Sequence, residues 1–398
     1  MPRRLLFLAH RIPYPPDKGE KIRAWHILDH LAKRYAVDLG CLVDDPRDRD
    51  HAPLLARMCG EVRAIAVGSR LGSAARALLR AWPGAPLSQG WFYHPELARW
   101  VGAGLRAGRW ERAFVYSSAM APYLLRASRL FRVLDMVDVD SAKWAAYASG
   151  ARGPLRLVWQ REARTLLRLE RQAAATFERT LFVSEAEARH FVALAPETAG
   201  RVDWVENGVD LVRFDPRGPY PNPFPAEALP IVFTGTMNYR PNVEAVVWFA
   251  EKVLPAVRQR FDRAAFWIVG ANPAPQVSAL GRHAGVHVTG TVPDVRPFLA
   301  HAAAAVAPLF IARGIQNKVL EAMAMARPVI ASPQAFEGVR AVPGRDLLVA
   351  EGAEATAEAV CAVLEGRHAG LGDRARNAVR AGHDWAATLA RLDAILPD

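Results

Sequence analysis

Short apolar runs recur along the chain at 5–9, 37–43, 62–68, 113–118, 132–138, 181–184 and 202–206, and stretches with apolar residues three or four apart separate most of them. The amphipathic stretch 22–34, IRAWHILDHLAKR, is the first of these. Strand patterns alternating with helix patterns predict βαβ units and a parallel sheet with helices on its faces. The alternation restarts at 231–235 and continues through 265–270, 286–290, 306–310 and 329–332. Helices are expected at 242–257, near 293–302, and at 353–364, 373–381 and 385–396.

Between the two series lies FDPRGPYPNPFPAEALP, with prolines at 216, 219, 221, 223, 225 and 230. Proline lacks the N–H that a helix or ladder needs, so this segment is expected to be a stiff connector. A chain of 398 residues is also longer than one core usually serves. The pattern therefore predicts an α/β protein of two Rossmann-like domains, 1–212 and 231–382, joined by a linker at 213–230. The last helix, 383–398, is placed to return to the first domain.

The stretch 312–332, ARGIQNKVLEAMAMARPVIAS, concentrates the polar signals of the second half. A helix beginning near Gly314 puts Val319, Ala322, Met323 and Ala326 on one buried stripe, with Gly314, Asn317, Lys318 and Glu321 opposite. The free N–H groups of Gly314, Ile315 and Gln316 at its start suit a phosphate. Lys318 adds a charge one turn in. Glu321 is placed to accept two hydroxyl hydrogens of a ribose, each charge-assisted bond being worth roughly 1.5–3 kcal/mol. A solvated face with a Lys–Glu pair is the plainer reading of any single helix. Here Arg327-Pro328 ends the helix and a buried strand follows, so its N-terminus falls where parallel sheets bind ligands.

Lys plus Arg number 51 against 40 Asp plus Glu, a net charge of +11 that favours anionic partners. No basic and aromatic nucleic-acid module is visible, so nucleic acid is not an expected partner. Cys41, Cys59 and Cys361 are too few and too scattered for a disulfide framework or a zinc site. The start, MPRRLLFLAHRIP, is too short in apolar residues for a signal segment, and no apolar run reaches the ~20 residues of a membrane span. A cytoplasmic chain, at most peripheral on the inner face of the membrane, is expected. Membrane contact is suggested by 154–179, which carries Arg156, Arg161, Arg164, Arg168, Arg171 and Arg179, with Glu162 and Glu170 as the partners of an ordinary solvated face. Arg76 and Arg80 on 75–82 add to it, and Trp91, Phe92 and Tyr93 are either interfacial or core. The loop HRIPYPPDKGEK lacks GxGxxG, which disfavours a nicotinamide dehydrogenase.

Several ordered motifs together resemble the retaining glycosyltransferases of the GT-B fold, in the large family 4 clan. They are VENGVDLVRFDP (205–216), FVSEAEARHF (182–191), VFTGTMNYRPNVEAV, VTGTVPDVRPFLAHA and KVLEAMAMARPVIAS. The stretches PPDKGEKIR, VDVDSAKW and RGIQNKVLEAMA are similar to the branch of sugar transferases associated with PEP-CTERM and exosortase exopolysaccharide systems. The resemblance implies two Rossmann-like domains facing each other across a cleft, a nucleotide-sugar donor and a lipid-linked or oligosaccharide acceptor. No cofactor and no metal are expected, the nucleotide-sugar being a co-substrate. Asp138-Val139-Asp140 is formally a D-x-D, but such a triplet arises by chance in most chains of this length.

Carried over residue by residue, the resemblance makes Glu321 the second glutamate of an E-x7-E motif, which binds the ribose. The first position is Arg313, a cation where the family has a carboxylate. Gly235 and Thr236 stand where the family often has Gly-Arg at the donor phosphates, leaving Arg240, Lys318 or Arg313 as the cation. Pro293, Asp294 and Val295, with Val292, match the loop flanking the base, and Gly19 the loop closing over the phosphates. No histidine stands in 116–123, so Ser118 is a positional candidate for catalysis. Asp138, at the end of a strand, is placed to orient or deprotonate the acceptor, and helix capping by Asp138 and Asp140 weighs about equally. A non-catalytic nucleotide-sugar sensor or partner and a nucleotide-sugar epimerase of the same fold are the alternative functions.

Overall fold

The structure, a computed structural model, describes residues 3–16, 19–68, 72, 84–312 and 314–396. The chain divides into two compact units, Met1–Val205 with Arg391–Asp398, and Glu206–Ala390.

In the first unit, β1 (Arg4–Ala9), β2 (Ala36–Val43), β3 (Val62–Ala66), β4 (Arg112–Tyr116), β5 (Phe131–Val137), β6 (Arg179–Phe182) and β7 (Val202–Trp204) form one sheet. Its order is β3-β2-β1-β4-β5-β6-β7, all neighbours parallel. The order reverses between β1 and β4, the point where open α/β sheets leave a crevice at the strands' carboxyl ends. Leu5 to Ala9 are wholly buried, as a central strand covered on both faces requires.

Two non-glycine residues with left-handed backbone end the adjacent strands: Ser117 (φ 82) after β4 and Val137 (φ 68) at the end of β5. A β-branched residue there is strained by contact of its side chain with the backbone. The pairing of β5 with β6 shifts register between Asp135 and Val137, and the Asp135 carboxylate accepts the Val137 N–H at 3.1 Å. Asp135 is in turn held by the buried Arg23, whose Nε donates to it at 2.8 Å. The helix Gly19–Ala32 thus anchors the bend.

In the second unit, β8 (Leu229–Thr234), β9 (Ala264–Val269), β10 (Val286–Gly290), β11 (Ala304–Ala307), β12 (Val329–Ala331) and β13 (Leu348–Val349) run parallel in the order β10-β9-β8-β11-β12-β13. Strand β11 lies two residues before the expected 306–310: alanines, weak strand formers, supply most of its ladder, and the bulkier Phe310 is exposed. The two-residue β13 carries too short a pattern to read.

The proline-rich segment belongs to the second unit instead of standing free as a linker. Phe214 and Phe224 are buried in that unit's core, and the Phe224 ring packs against Trp267 and Phe298. Prolines exclude it from the sheet, while the aromatic side chains between them tie it down. Within the first unit, residues after 390 pack on its first helix: His30 and Arg34 bond Asp393, and the Tyr35 hydroxyl donates to the Leu396 carbonyl.

Asp135→Ala leaves the Arg23 guanidinium buried without its counter-charge and frees the Val137 N–H. A loss of about 3–5 kcal/mol is expected in urea unfolding of the first unit. The pair Arg23→Met with Asp135→Leu is expected to lose clearly less than the sum of the single changes.

Candidate functional site

In the second unit the key helix is Asn317–Ala324, three residues later than the sequence pattern placed it. Gly314 adopts φ 64, a left-handed turn that no helix continues, and the loop runs on to the N-cap Gln316. The first free helical N–H groups therefore begin at Asn317. Ile315 is a core residue, packed close to Gly338, and Gln316 donates from its amide to the Gly314 carbonyl. Arg313 lies outside the described residues.

Lys318 and Glu321 share the polar side of this short helix. Lys318 Nζ donates to Asn242 Oδ1 at 2.8 Å and stands 4.9 Å from the centre of the Phe233 ring. Asn242 Nδ2 donates to the Thr236 carbonyl at 2.9 Å. This chain of contacts draws the turn after β8 onto the helix. Glycines permit the approach: at Gly235 a Cβ would stand 2.8 Å from Asn242 Nδ2, and at Gly270 a Cβ would stand 1.7 Å from the Gly235 carbonyl oxygen. Burial pulls the Lys318 ammonium down to about 8 despite Glu321, and pushes the Glu321 carboxyl up to about 7 against the pull of Arg213 and Lys318. Among the described residues nothing hydrogen-bonds the Glu321 carboxylate. It is an acceptor to which no described residue donates.

The NGVD motif joins the same helix. Asn207 donates to Asn317 Oδ1 at 3.3 Å, while the Asn207 carbonyl meets His383 Nδ1 at 3.4 Å. His383 Nε2 accepts the Arg340 N–H at 2.8 Å, so Nδ1 carries the proton, and burial lowers the ring's pKa to about 4. Gly208 lies against Trp385, where a Cβ would come within 2.8 Å.

Other expected donor residues are already engaged. Arg240 pairs with Glu244 at 2.7 Å on an exposed helix face. Asp294 holds Arg296 by its side chain and N–H, and those bonds, outweighing burial, keep its carboxyl below the usual range. Backbone at Pro293 and Val295 remains. A cavity of about 530 Å³ beside β10, lined by Trp267, His287, Thr289 and Gly290 among others, contains none of Lys318, Glu321 or Asp294.

In the first unit the carboxyl ends of β1, β4 and β5 gather a second polar group. Gly19 opens the Gly19–Ala32 helix and is exposed. Lys21, two residues on, is buried on Asp48 at 2.6 Å, and Lys18 lies outside the described residues. Ser118 is buried in the turn after β4.

The capping reading of Asp138 and Asp140 is replaced by other residues. The helix Asp140–Ser149 has no side-chain cap of its own: Glu187 accepts the Val139 N–H at 3.0 Å, and Glu170 accepts the Ser141 N–H and hydroxyl. Both aspartates are left uncommitted. Burial, then Asp140 and Glu187, push the Asp138 carboxyl up to about 7, with Lys143 and Arg23 opposing; Asp138 Oδ1 is buried without a partner. Burial also raises Asp140, and Glu170 to about 8. Among the described residues no group of three His, Cys, Asp or Glu is arranged to hold a metal.

Three residues escaped the sequence reading. His10, after β1, stacks on Tyr116 and meets Phe92 edge-on; its Nδ1 is buried without a partner, and burial lowers its pKa to about 4. Asn242 is the link between Lys318 and Thr236. Arg213, in the NGVD segment, acts on both Glu321 and Asp294. Only the motif VENGVDLVRF hinted at the last.

Glu321 carries a carboxyl raised from 4.5 to about 7, so its contribution to stability is complete below 4.5 and lost as pH rises to 7. Relative to wild type, Glu321→Gln is expected to be equally stable near pH 4 and to gain up to about 3 kcal/mol by pH 8, one pKa unit being worth about 1.4 kcal/mol. Urea unfolding at both pH values measures the difference.

Residues 229–366 match the family model described as glycosyl transferases group 1. No curated protein matches the chain. Sucrose-phosphate synthase from Thermosynechococcus elongatus is similar in structure, with a TM-score of 0.68 at 18% identity over 99% of this chain and 98% of that one. WaaG, a glycosyltransferase involved in lipopolysaccharide biosynthesis, gives 0.68 at 16% identity over 99% and 100%. Anabaena HepE, solved in complex with UDP and glucose, gives 0.67 at 14% identity over 98% of each chain. The chain has the GT-B fold of these neighbours, two parallel α/β sheets, and the stretch that matches the group 1 glycosyl transferases lies within its second unit.

Proposed function

We propose that this enzyme transfers a sugar from a nucleotide-sugar donor to a hydroxyl of a lipid-linked or saccharide acceptor, with retention of configuration and without a metal, in the synthesis of an exopolysaccharide or other cell-surface glycan. The observation that carries this reading is the buried Glu321 carboxylate, to which no described residue donates, beside Lys318 and inside the residues that match the glycosyltransferase family. A ribose needs an acceptor for two neighbouring hydroxyls, and a diphosphate needs a cation and free N–H groups. The start of Asn317–Ala324 offers both. HepE was solved with UDP, and WaaG serves lipopolysaccharide synthesis, which supports the donor class and a glycan product.

In the proposed step, the bond from the anomeric carbon to the leaving diphosphate oxygen breaks, and the acceptor oxygen bonds that carbon on the same face. The electron pair of the broken bond stays on the diphosphate, where Lys318 stabilises the charge. The acceptor proton passes to the departing diphosphate; within the first unit Asp138, whose pKa near 7 suits proton transfer at neutral pH, is the candidate base. A second reading, a nucleotide-sugar sensor without transfer, is favoured by the buried Ser118 and the lack of a histidine after β4.

Calorimetry with nucleoside diphosphates is expected to show Glu321→Ala binding at least about tenfold more weakly, from loss of charge-assisted bonds. In a diphosphate-release assay with membrane-lipid extract as acceptor, Asp138→Asn is expected to lower kcat by about 10²–10⁴ with nucleotide affinity unchanged, and to abolish a rise of kcat with pH through about 7. Binding without release establishes the sensor. A changed free donor sugar establishes an epimerase.

A further inference from the structure

Along the arginine-rich helix Pro154–Thr176 several arginines are engaged, Arg168 standing exposed. Arg171 is paired with Glu197, Arg161 donates to the Ala85 carbonyl, and Arg164 donates to Gln160. Arg179, just past the helix, bonds the Glu178 and Gly200 carbonyls. Glu162 is buried, accepting the Leu87 and Ser88 N–H groups, and so neutralises no surface arginine. The body of the helix is committed to the fold.

Its first turn is different. Every residue from Arg152 to Val158 is exposed, including three large apolar side chains, Leu155 at 58%, Leu157 at 68% and Val158 at 43%. Arg152 and Arg156 stand among them. From Ser141 to Arg161 there is no acidic residue, against four cations, Lys143, Arg152, Arg156 and Arg161. Behind the turn, Trp144 and Trp159 each pack against Tyr147 at 5.9 Å, forming a partly exposed aromatic group. Exposed apolar residues, arginines on the same turn and aromatics one layer back follow the order of a bilayer interface from acyl boundary to headgroup.

We infer that the end of the two-helix hairpin around residues 150–159 inserts shallowly into an anionic lipid surface. The inference rests on the proposed lipid-linked acceptor and names the surface that would bring the enzyme to it. Charge selects this occupant over a second copy of the chain, since a symmetric contact through the tip would bring Arg152 and Arg156 of both copies together. Leu155 and Leu157 supply apolar contact, and the arginines supply the preference for anionic headgroups.

Full-length protein sedimented with vesicles of phosphatidylglycerol and phosphatidylcholine in equal parts tests this, with phosphatidylcholine alone as comparison. The wild type is expected to pellet with the anionic vesicles. Leu155→Glu with Leu157→Glu is expected to lower the partition at least about tenfold. Arg152→Gln with Arg156→Gln is expected to cost about fivefold per arginine and to remove the anionic preference. Nucleoside diphosphate binding, unchanged in both variants, reports that they are folded. Vesicle binding is read without turnover, so failure of the transferase reading and failure of this surface are separate results. A wild type that ignores anionic vesicles, or a leucine variant that binds them as well, overturns the proposal. So does a dimer in sedimentation velocity that the leucine changes dissolve in the absence of vesicle binding.

Discussion

A lysine and a glutamate three residues apart on an eight-residue helix, each in surroundings that disfavour its charge, are the constraint around which the second unit is arranged. Lys318 is held by one amide and one aromatic ring, and Asn242 is held in turn by the backbone of the turn after β8. That turn reaches the helix only because Gly235 and Gly270 have no side chains to separate the loops after β8 and β9. A ligand that brings its own anion and its own hydroxyls relieves both strained charges, which is the physical reason to place a nucleotide there.

The first unit uses a different device. At one corner carboxyl groups gather at the start of a helix, where Glu170 and Glu187 from two other helices do the capping. The strained Val137 turns the chain at that point, fixed from below by Asp135 and Arg23. Strain of this kind persists where the surroundings over-determine it, and here it delivers Asp138 with one oxygen buried and unsatisfied. The carboxyl rises toward neutrality because it is buried and because Asp140 and Glu187 are close by.

The capped helix Asp140–Ser149 and the helix Pro154–Thr176, which supplies Glu170, meet at the exposed 150–159 end. Their inner halves are committed to carboxylate and aromatic contacts, and their outer end carries apolar residues that stand exposed. Basic residues along a helix therefore divide by depth: those near the sheet satisfy carbonyls and carboxylates of the fold, and those at the tip remain for solvent or a partner.

Periodicity by itself determined the two α/β series, nearly every strand, and the polar side of the helix bearing Lys318 and Glu321, because apolar spacing reports burial directly. It misplaced β11, whose alanines read as helix, and the start of the 317–324 helix, because Gly314 adopts a left-handed turn that no pattern announces. Proline spacing was read as a stiff connector because it reveals the absence of ladder bonds and not the aromatic anchors Phe214 and Phe224. Only the tertiary structure decided which polar residues were free: Arg240, Lys21 and Asp294 are held by partners 4, 27 and 2 residues away. Asp138 and Asp140 are released because glutamates distant in sequence took the helix cap. A side chain's partner is a property of the fold, and charge in sequence names only the candidates.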